Sequence, residues 1–406
     1  MNDFNDIIQK ELAQGTNISI VKIIDELISY AYHIHASDIH IDPLEKSIRV
    51  RFRIDGVLED SCLIPKSIHE EIISRVKILS GLRTDEHYSA QDGRFRNLIS
   101  ENTSVDIRVS IVPTYHGENI VFRLLSDNAE QFTLESLGFN QTDRQKIIHA
   151  IKNPTGMILV TGPTGSGKTT TLYTLIKMLN EIDVSIVTIE DPIEYAIEGV
   201  KQIQVNQRTG LTFANGLRSI LRQDPNIIMV GEIRDIETAS IAVNTALTGH
   251  LLLSTIHTND AATTLPRLLD MKIEPFLVAS TISIAIGQRL VRKICTECKQ
   301  EKVLNDEESL HLADSVSASI LKSSAKFYKG IGCEACNQTG YRGRLVINEV
   351  LVADEEIRQA ILRKASASEI KQIAMKNGMT TMLEDGLNKA MSGLTTIEEI
   401  LRVAYE

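Results

Sequence analysis

The segment Gly162–Thr169, GPTGSGKT, matches the pattern GxxxxGK[ST] at every defined position and most constrains the fold. It follows the apolar run Met157–Thr161 and precedes the helix-like Thr170–Leu179, so a strand, a loop and a helix are predicted in the order a phosphate-binding loop requires. Glycines let backbone N–H groups close around phosphate oxygens, and the helix N-terminus adds a favourable dipole. Lys168 is expected to contact the β- and γ-phosphates, and Thr169 to offer its hydroxyl to Mg²⁺. The predicted nucleotide-binding residues are Gly162, Pro163, Thr164, Gly165, Ser166, Gly167, Lys168, Thr169 and Thr170. A glycine-rich turn without a ligand is the alternative, and both correct flanks disfavour it.

The chain around this loop alternates short apolar runs with amphipathic helical segments. The runs are Met157–Thr161, Ser185–Ile189, Ile227–Val230 and Leu251–Ser254. Such runs are typical of strands buried on both faces of a parallel sheet. The predicted fold class is therefore α/β, a phosphate-loop NTPase core with a parallel sheet.

The N-terminal part has a different pattern. Residues 1 to about 30 are helix-like, Ser47–Leu58 alternates strictly before turning at Asp55–Gly56, and a helix-like Ser67–Leu82 precedes strand-like segments. The later strand-like segments are Ser104–Val112 and Asn119–Leu125. We predict an α+β domain over 1–127, a linker over 128–140 and an ATPase domain over 141–406. The last includes a cysteine-bearing subdomain at 291–345 and a helical region at 346–406.

Composition excludes some classes of function. No apolar run approaches the roughly 20 residues needed to span a bilayer, and the first residues lack the pattern of an export signal. A cytoplasmic protein is therefore expected. The net charge of −10 argues against broad binding of nucleic acid, and the absence of Trp argues against a base-stacking platform.

Acidic residues follow two of the predicted strands. Glu190, Asp191 and Glu194 follow one, and Glu232 comes after Gly231 at the end of the other. Residues just beyond the carboxyl ends of parallel strands line the ligand crevice of open sheets. These carboxylates are predicted to hold Mg²⁺ water and to orient the attacking water. The alternative for any one of them is a solvated surface charge.

Two histidines, His250 and His257, bracket the apolar run Leu251–Ile256. Their spacing places them at opposite ends of one strand. One of them is expected to reach the γ-phosphate while the other only packs, and the spacing leaves open which of the two does so.

Four of the five cysteines form two pairs, Cys295–Cys298 and Cys333–Cys336, separated by 34 residues. In a chain without an export signal, such pairs favour a metal site over disulfides. Four thiolates in this arrangement predict a structural, tetrahedral Zn²⁺ site. A redox role and four unliganded buried thiols are the alternatives. Cys62 stands alone and is expected to pack.

Four long segments carry a family resemblance. They are GPTGSGKTTTLY, TIEDPIEY, LRSILRQDPNIIMVGEIRD and TALTGHLLLSTIHTNDA. In this order they resemble the Walker A motif, aspartate box, atypical Walker B motif and histidine box of the ATPases of type II secretion and type IV pilus assembly. The resemblance extends from about residue 30 to the C-terminus. It implies a RecA-like core.

The same resemblance covers the N-terminal part. The segments ASDIHI, RFRIDG, QDGR and DIRVSIVP are similar to the family's PAS-like domain. It implies that arginines of this domain, Arg94 and Arg108, reach the nucleotide phosphates together with Arg218 and Arg222 of the core. Guanidinium groups would neutralise the charge of phosphoryl transfer. The alternative for Arg94 and Arg108 is an ordinary surface or strand-pairing arginine.

The function that the resemblance implies is a cytoplasmic homohexamer that hydrolyses ATP. It would assemble a pilus or pseudopilus through an inner-membrane platform protein, touching the membrane only through partners and binding no nucleic acid directly. The tetracysteine element favours assembly over retraction, and the chain corresponds to a short form without the extra N-terminal helical domain. A retraction motor, a nucleotide-gated scaffold without turnover and a DNA translocase are the alternatives. Glu194 and Glu232 argue against the scaffold.

Overall fold

The computed structural model describes residues 2–101, 103–125, 132–303 and 326–404. The chain divides into two compact units, Met1–Glu130 and Gln131–Glu406. No helix in these described ranges is both long and apolar enough to cross a membrane.

The first unit is an antiparallel sheet with helices on one face. Its helices are α1 (Asn2–Leu12), α2 (Ile20–His33) and α3 (His69–Leu79). Its strands are β1 (Ala36–Pro43), β2 (Ser47–Ile54), β3 (Val57–Pro65), β4 (Gln91–Ser100), β5 (Thr103–Thr114) and β6 (Gly117–Leu125), arranged in the order β3-β2-β1-β6-β5-β4. The alternation in β2 has a clear cause, since Ile48, Val50 and Phe52 enter the core beneath the helices. The arginines between them face away from it.

The second unit is built on a mostly parallel sheet. Its strands are β7 (Gly156–Thr161), β8 (Ile186–Glu190), β9 (Lys201–Gln204), β10 (Ile227–Val230), β11 (Leu251–Ile256), β12 (Ile282–Ile294) and β15 (Tyr341–Val352), in the order β15-β12-β7-β11-β10-β8-β9. Only β15 runs antiparallel to its neighbour within this described sheet. A separate antiparallel ribbon pairs β13 (Lys299–Lys302) with β14 (Phe327–Gly330).

Helices cover both faces of the parallel sheet. They are α4 (Leu134–Leu137), α5 (Gln141–Ile151), α6 (Lys168–Leu179), α7 (Phe213–Ile220), α8 (Ile236–Leu247), α9 (Ala261–Asp270), α10 (Pro275–Thr281), α11 (Glu355–Leu362), α12 (Ala367–Lys376), α13 (Met382–Met391) and α14 (Ile397–Ala404). On β7, Met157 and Leu159 pack in the cluster that contains residues of α7 to α12, whereas Ile158 and Val160 pack in the cluster that contains residues of α4, α5 and α6. Burial on both faces explains why the strands are continuous apolar runs.

Two predicted boundaries differ from the structure. Strand β15 passes through position 346, where the helical region was predicted to begin, because Leu345–Leu351 is a continuous buried run paired with β12. Helix α4 lies inside the predicted linker 128–140, where Thr133 and Ser136 form a reciprocal cap. The polar segment predicted as a loop or exposed helix at Ser315–Ser324 lies outside the described residues.

Candidate nucleotide and metal sites

The phosphate loop joins β7 to the N-terminus of α6 through residues that need a left-handed backbone. Gly162, Gly165 and Gly167 have φ of 147°, 80° and 84°, a region that favours glycine. Lys168 Nζ donates to the carbonyl oxygens of Gly162 and Pro163, both at 2.9 Å. The loop thus curls around its own lysine, which is the shape that cradles a phosphate.

The electrostatics of Lys168 depend on its surroundings. Burial lowers the pKa of its ammonium group, Arg289 lowers it further, and Glu232 opposes both effects. Glu232 therefore lies within electrostatic reach of the loop lysine.

Glu232 and His257 meet at the carboxyl edge of the sheet. They follow the neighbouring strands β10 and β11, and His257 Nε2 lies 3.1 Å from Glu232 Oε2. A carboxylate only accepts hydrogen bonds, so the imidazole is the donor. Arg234 Nε is 2.5 Å from the same oxygen. The glutamate side chain is 12% exposed while His257 is 46% exposed, so the pair presents the imidazole outward.

His250 lies at the opposite end of β11. Its Nδ1 is 3.3 Å from the carbonyl oxygen of Thr245, at the end of α8. Because the six residues of β11 lie between them, the two histidines are roughly 23 Å apart at the rise of a strand. Strand direction therefore places His257, and not His250, beside Glu232.

Glu190 is enclosed at the end of β8. Its carboxylate accepts from the hydroxyl of Tyr173, from Thr188 Oγ1 at 2.6 Å and from Gln202 Nε2 at 3.1 Å. Burial raises the pKa of Glu190, although these hydrogen bonds oppose that effect. Protein groups thus surround a carboxylate that was predicted to serve catalysis.

The other two members of that acidic segment lie nearer the surface. Asp191 is exposed and Glu194 is partly buried. The Glu194 amide donates to the hydroxyl of Tyr173 at 3.3 Å. The Tyr173 hydroxyl thereby connects the buried carboxylate to the backbone of the segment that follows it.

The core arginines predicted to reach phosphate are exposed on α7 and just after it. Arg218 donates to Glu237 Oε1 at 2.6 Å and to Asn215 Oδ1 at 3.2 Å. Arg222 donates to the Arg218 carbonyl at 3.0 Å. In the described structure Arg218 thus binds groups of α7 and α8, and Arg222 binds groups of α7.

Arg94 and Arg108 belong to the first unit, where they stand directly opposite each other on β4 and β5. Arg123 on β6 is in turn opposite Arg108 and donates to the buried carboxylate of Asp38 at 2.9 Å. The register therefore places three guanidinium groups side by side on one face of the first unit. Like charges in register across strands repel.

The four predicted cysteine ligands come together in the second unit. All their sulfur atoms lie within 4.8 Å of one another, and three of the Sγ–Sγ distances are 3.8, 3.8 and 3.7 Å. A tetrahedron with Zn–S bonds of about 2.3 Å has edges of about 3.8 Å. The backbone amides of Cys333 and Gly340 both donate to Cys336 Sγ at 3.2 Å, as expected for a thiolate ligand. The cluster therefore fits a structural Zn²⁺ ion.

Cys62 lies apart from this cluster. It is partly buried on β3 against the core of the first unit, and burial raises the pKa of its thiol to about 11. It packs as an inert thiol.

Three residues around the loop were not identified from the sequence. Thr161 Oγ1 lies 2.6 Å from the hydroxyl oxygen of Thr258 and accepts a hydrogen bond from the Thr258 amide at 3.0 Å. These contacts connect the last residue before the loop to the residue that follows His257. Gln288 of β12 contacts the loop from the other side. A glutamine inside the apolar run of β12 was the one available signal for this contact.

Comparisons with known proteins identify similar sequences and structures. The profile of the family described as Type II/IV secretion system protein matches residues 13–402. Type II secretion system protein E of Xanthomonas campestris pv. campestris is 47% identical over 388 residues, which cover 95% of this chain and 68% of that protein. The type IV pilus assembly ATPase PilB of Thermus thermophilus is 48% identical over 385 residues, covering 95% of this chain and 43% of the relative.

A solved structure is also similar along almost the whole chain. The crystal structure of the pilus retraction motor PilT with bound ADP has a TM-score of 0.65 at 26% identity, covering 94% of this chain and 97% of that one. This likeness confirms the predicted fold class.

Proposed function

The chain belongs to the Type II/IV secretion system protein family, and we propose that it is a cytoplasmic, homohexameric ATPase that assembles a type IV pilus or a type II secretion pseudopilus. It would transmit the work of hydrolysis to an inner-membrane platform protein. The observation that carries hydrolysis is the contact between Glu232 and His257 within electrostatic reach of Lys168. The assembly role rests on the relatives named above.

In this proposal the phosphate loop and its lysine bind the β- and γ-phosphates. The Thr169 hydroxyl would hold Mg²⁺, which when bound neutralises phosphate charge. Glu232 orients the attacking water. The Glu232 carboxylate also positions the His257 imidazole, which would contact the γ-phosphate.

Arginines would complete the site. Arg94 and Arg108 of the first unit, and Arg218 and Arg222 of the second, would stabilise the charge on the transferred phosphoryl group. With nucleotide bound, Arg218 and Arg222 would leave their present surface partners and bind phosphate instead. This exchange would couple the nucleotide state to the conformation of the segment that carries these arginines. Such coupling is what a motor requires.

The four clustered cysteines would hold Zn²⁺ as a structural ion. Cys295 directly follows β12, and the second pair precedes β15. A zinc ion bound by these cysteines would crosslink the end of β12 to the segment that leads into β15. This element and the two relatives together favour assembly.

A retraction motor is the second candidate, because the PilT structure is similar over nearly all of the chain. Deleting the gene separates the two roles. Loss of an assembly motor removes pili or the pseudopilus, whereas loss of a retraction motor leaves surplus pili.

The enzymatic part is tested with Glu232→Gln in the full chain. We expect kcat for ATP to fall at least about 100-fold while Mg·ATP binding is kept, since this substitution removes a group that acts on the attacking water. Glu198→Gln, at an exposed glutamate of the same unit, is the matched control and should hydrolyse ATP normally. Negligible turnover by wild type that Glu232→Gln does not change would instead identify a nucleotide-gated scaffold, whereas equal and measurable turnover would contradict the role of Glu232. Sedimentation with and without ATP tests the hexamer.

A further inference from the structure

We propose that Gln288 is a positioning residue of the nucleotide site, whose side-chain amide holds the phosphate loop in its binding shape. The inference rests on the proposed function, since it concerns the same site. It adds a residue outside the segments that carry the family resemblance.

The side chain of Gln288 is wholly buried and joins two parts of the loop region. Its Nε2 donates to the carbonyl oxygen of Ser166 at 2.7 Å, inside the loop. Its Oε1 accepts from Thr171 Oγ1 at 2.8 Å, in the first turn of α6, where Thr171 is also wholly buried. One rigid amide therefore connects the loop to the helix whose N-terminus faces the phosphates.

Sheet register brings Gln288 to this place. Strand β12 runs parallel to β7, and Gly287 pairs with Thr161, the last residue before the loop. The next residue on β12 is therefore level with the start of the loop. A side chain from this position can support the loop from behind.

The close approach also explains two glycines. A Cβ on Gly162 would lie 2.4 Å from the carbonyl oxygen of Gln288, and one on Gly167 would lie 3.3 Å from its Nε2. The loop thus packs directly against both the backbone and the amide of this residue. Its shape depends on that surface as well as on its own glycines.

Removing the amide leaves a buried carbonyl and a buried hydroxyl without these partners, so the loop is free to adopt other shapes. The apparent nucleotide affinity then equals the intrinsic affinity multiplied by the fraction of molecules whose loop keeps the binding-competent shape. Because the loop contacts phosphates in the ground state and the transition state alike, KM should rise while kcat changes little.

A matched control lies directly opposite on β15. Asn348 pairs in register with Gln288, is equally buried, and donates to Asp143 Oδ2 at 2.8 Å instead of to the loop. Asn348→Leu removes a buried amide from the same face of the sheet. It tests whether any such loss disturbs nucleotide binding.

The experiment measures Mg·ADP affinity by titration calorimetry, together with KM and kcat for ATP, on the full chain. For Gln288→Met we expect at least about tenfold weaker Mg·ADP binding, about 1.4 kcal/mol, and a KM raised by a similar factor. The kcat should stay within about threefold of wild type. Asn348→Leu should bind Mg·ADP as wild type does.

Thr171→Val provides a second route if Gln288→Met fails to fold, because it removes the hydroxyl that Gln288 accepts from. It too should weaken Mg·ADP binding. Unchanged affinity in Gln288→Met or, where that variant does not fold, in Thr171→Val overturns the inference, as does equal weakening by Asn348→Leu. If the wild-type chain itself binds no Mg·ADP, the proposed function fails instead.

Discussion

The phosphate loop and the cysteine cluster are both short motifs, yet they depend on the fold in different ways. The loop is one continuous segment whose glycines and following helix generate most of its shape locally. The cluster joins two pairs separated by 34 residues, and its geometry exists only where the end of β12 lies beside the start of β15. A change in the loop should therefore affect chemistry first, and a change in the cluster should affect stability first.

Both sites are nevertheless attached to one strand. Strand β12 carries Gln288 behind the loop, and Cys295 directly follows its end. Six residues lie between the two positions, so they are roughly 23 Å apart along an extended chain. The same strand thus supports a site of chemistry and a site of structure.

The largest expected effect comes from Lys168→Ala. We expect ATP hydrolysis to fall at least about 100-fold, because the charge that binds the β- and γ-phosphates is lost. The thermal midpoint without nucleotide should change little, since the hydrogen bonds of Lys168 within the described residues go to carbonyls of the loop itself. Lys201→Ala, at the exposed edge strand β9, is the control. A large loss of stability in Lys168→Ala would remove the contrast between the two sites.

The reciprocal change is Cys298→Ser. Metal analysis should show about one zinc per wild-type chain and much less in the variant. Its free energy of unfolding should fall by about 3 kcal/mol, less than the roughly 10 kcal/mol of small zinc-finger peptides, because the large sheet also supports these strands. The folded fraction should still bind nucleotide.

Cys62→Ser is the matched control for the cluster, since Cys62 lies in the first unit. It should leave the zinc content unchanged. Equal zinc content in wild type and Cys298→Ser would contradict the metal site.

The smallest effect concerns Glu399 of α14, which joins that helix to β12 near the cluster. Burial acts against ionisation, but hydrogen bonds from Arg402 and Arg292 hold the pKa of Glu399 at about 2. A lowered carboxyl pKa contributes stability that is full above about pH 4.5 and is lost as the pH falls from there towards 2. Glu399→Gln should therefore be destabilised at pH 7 by about 2 kcal/mol, because a buried carboxylate loses charge-assisted hydrogen bonds, and the difference from wild type should shrink at pH 3.

Urea unfolding at both pH values checks this, with Glu181→Gln at an exposed glutamate as control. A destabilisation of Glu399→Gln that is the same at pH 3 and pH 7 would rule out ionisation of Glu399 as its source.

Much of the second unit could be predicted from the sequence. Strands β7, β8, β10 and β11 lie within two residues of the predicted apolar runs, because strands buried on both faces have a simple composition. The resemblance to secretion and pilus assembly ATPases is likewise confirmed. The length of β12 was not predicted, because Gly287, Gln288 and Arg289 interrupt its apolar pattern.

The candidate site was less accessible from sequence. Glu190 was predicted to serve catalysis together with Asp191 and Glu194, but Tyr173 and Gln202 enclose it from positions 17 and 12 residues away. The spacing of His250 and His257 left their roles open, and only the direction and neighbours of β11 distinguish them. Contacts between distant segments depend on sheet order, which local patterns do not encode.

The sequence by itself determined the phosphate loop and the metal-ligand spacing, because glycine backbone freedom, a helix N-terminus and paired thiols act over a few neighbouring residues. Only the tertiary structure decided that His257 meets Glu232, that Gln288 supports the loop and that four sulfurs form a tetrahedral set. The reason is register: side chains from different strands meet only where the order and alignment of the sheet bring their backbones together.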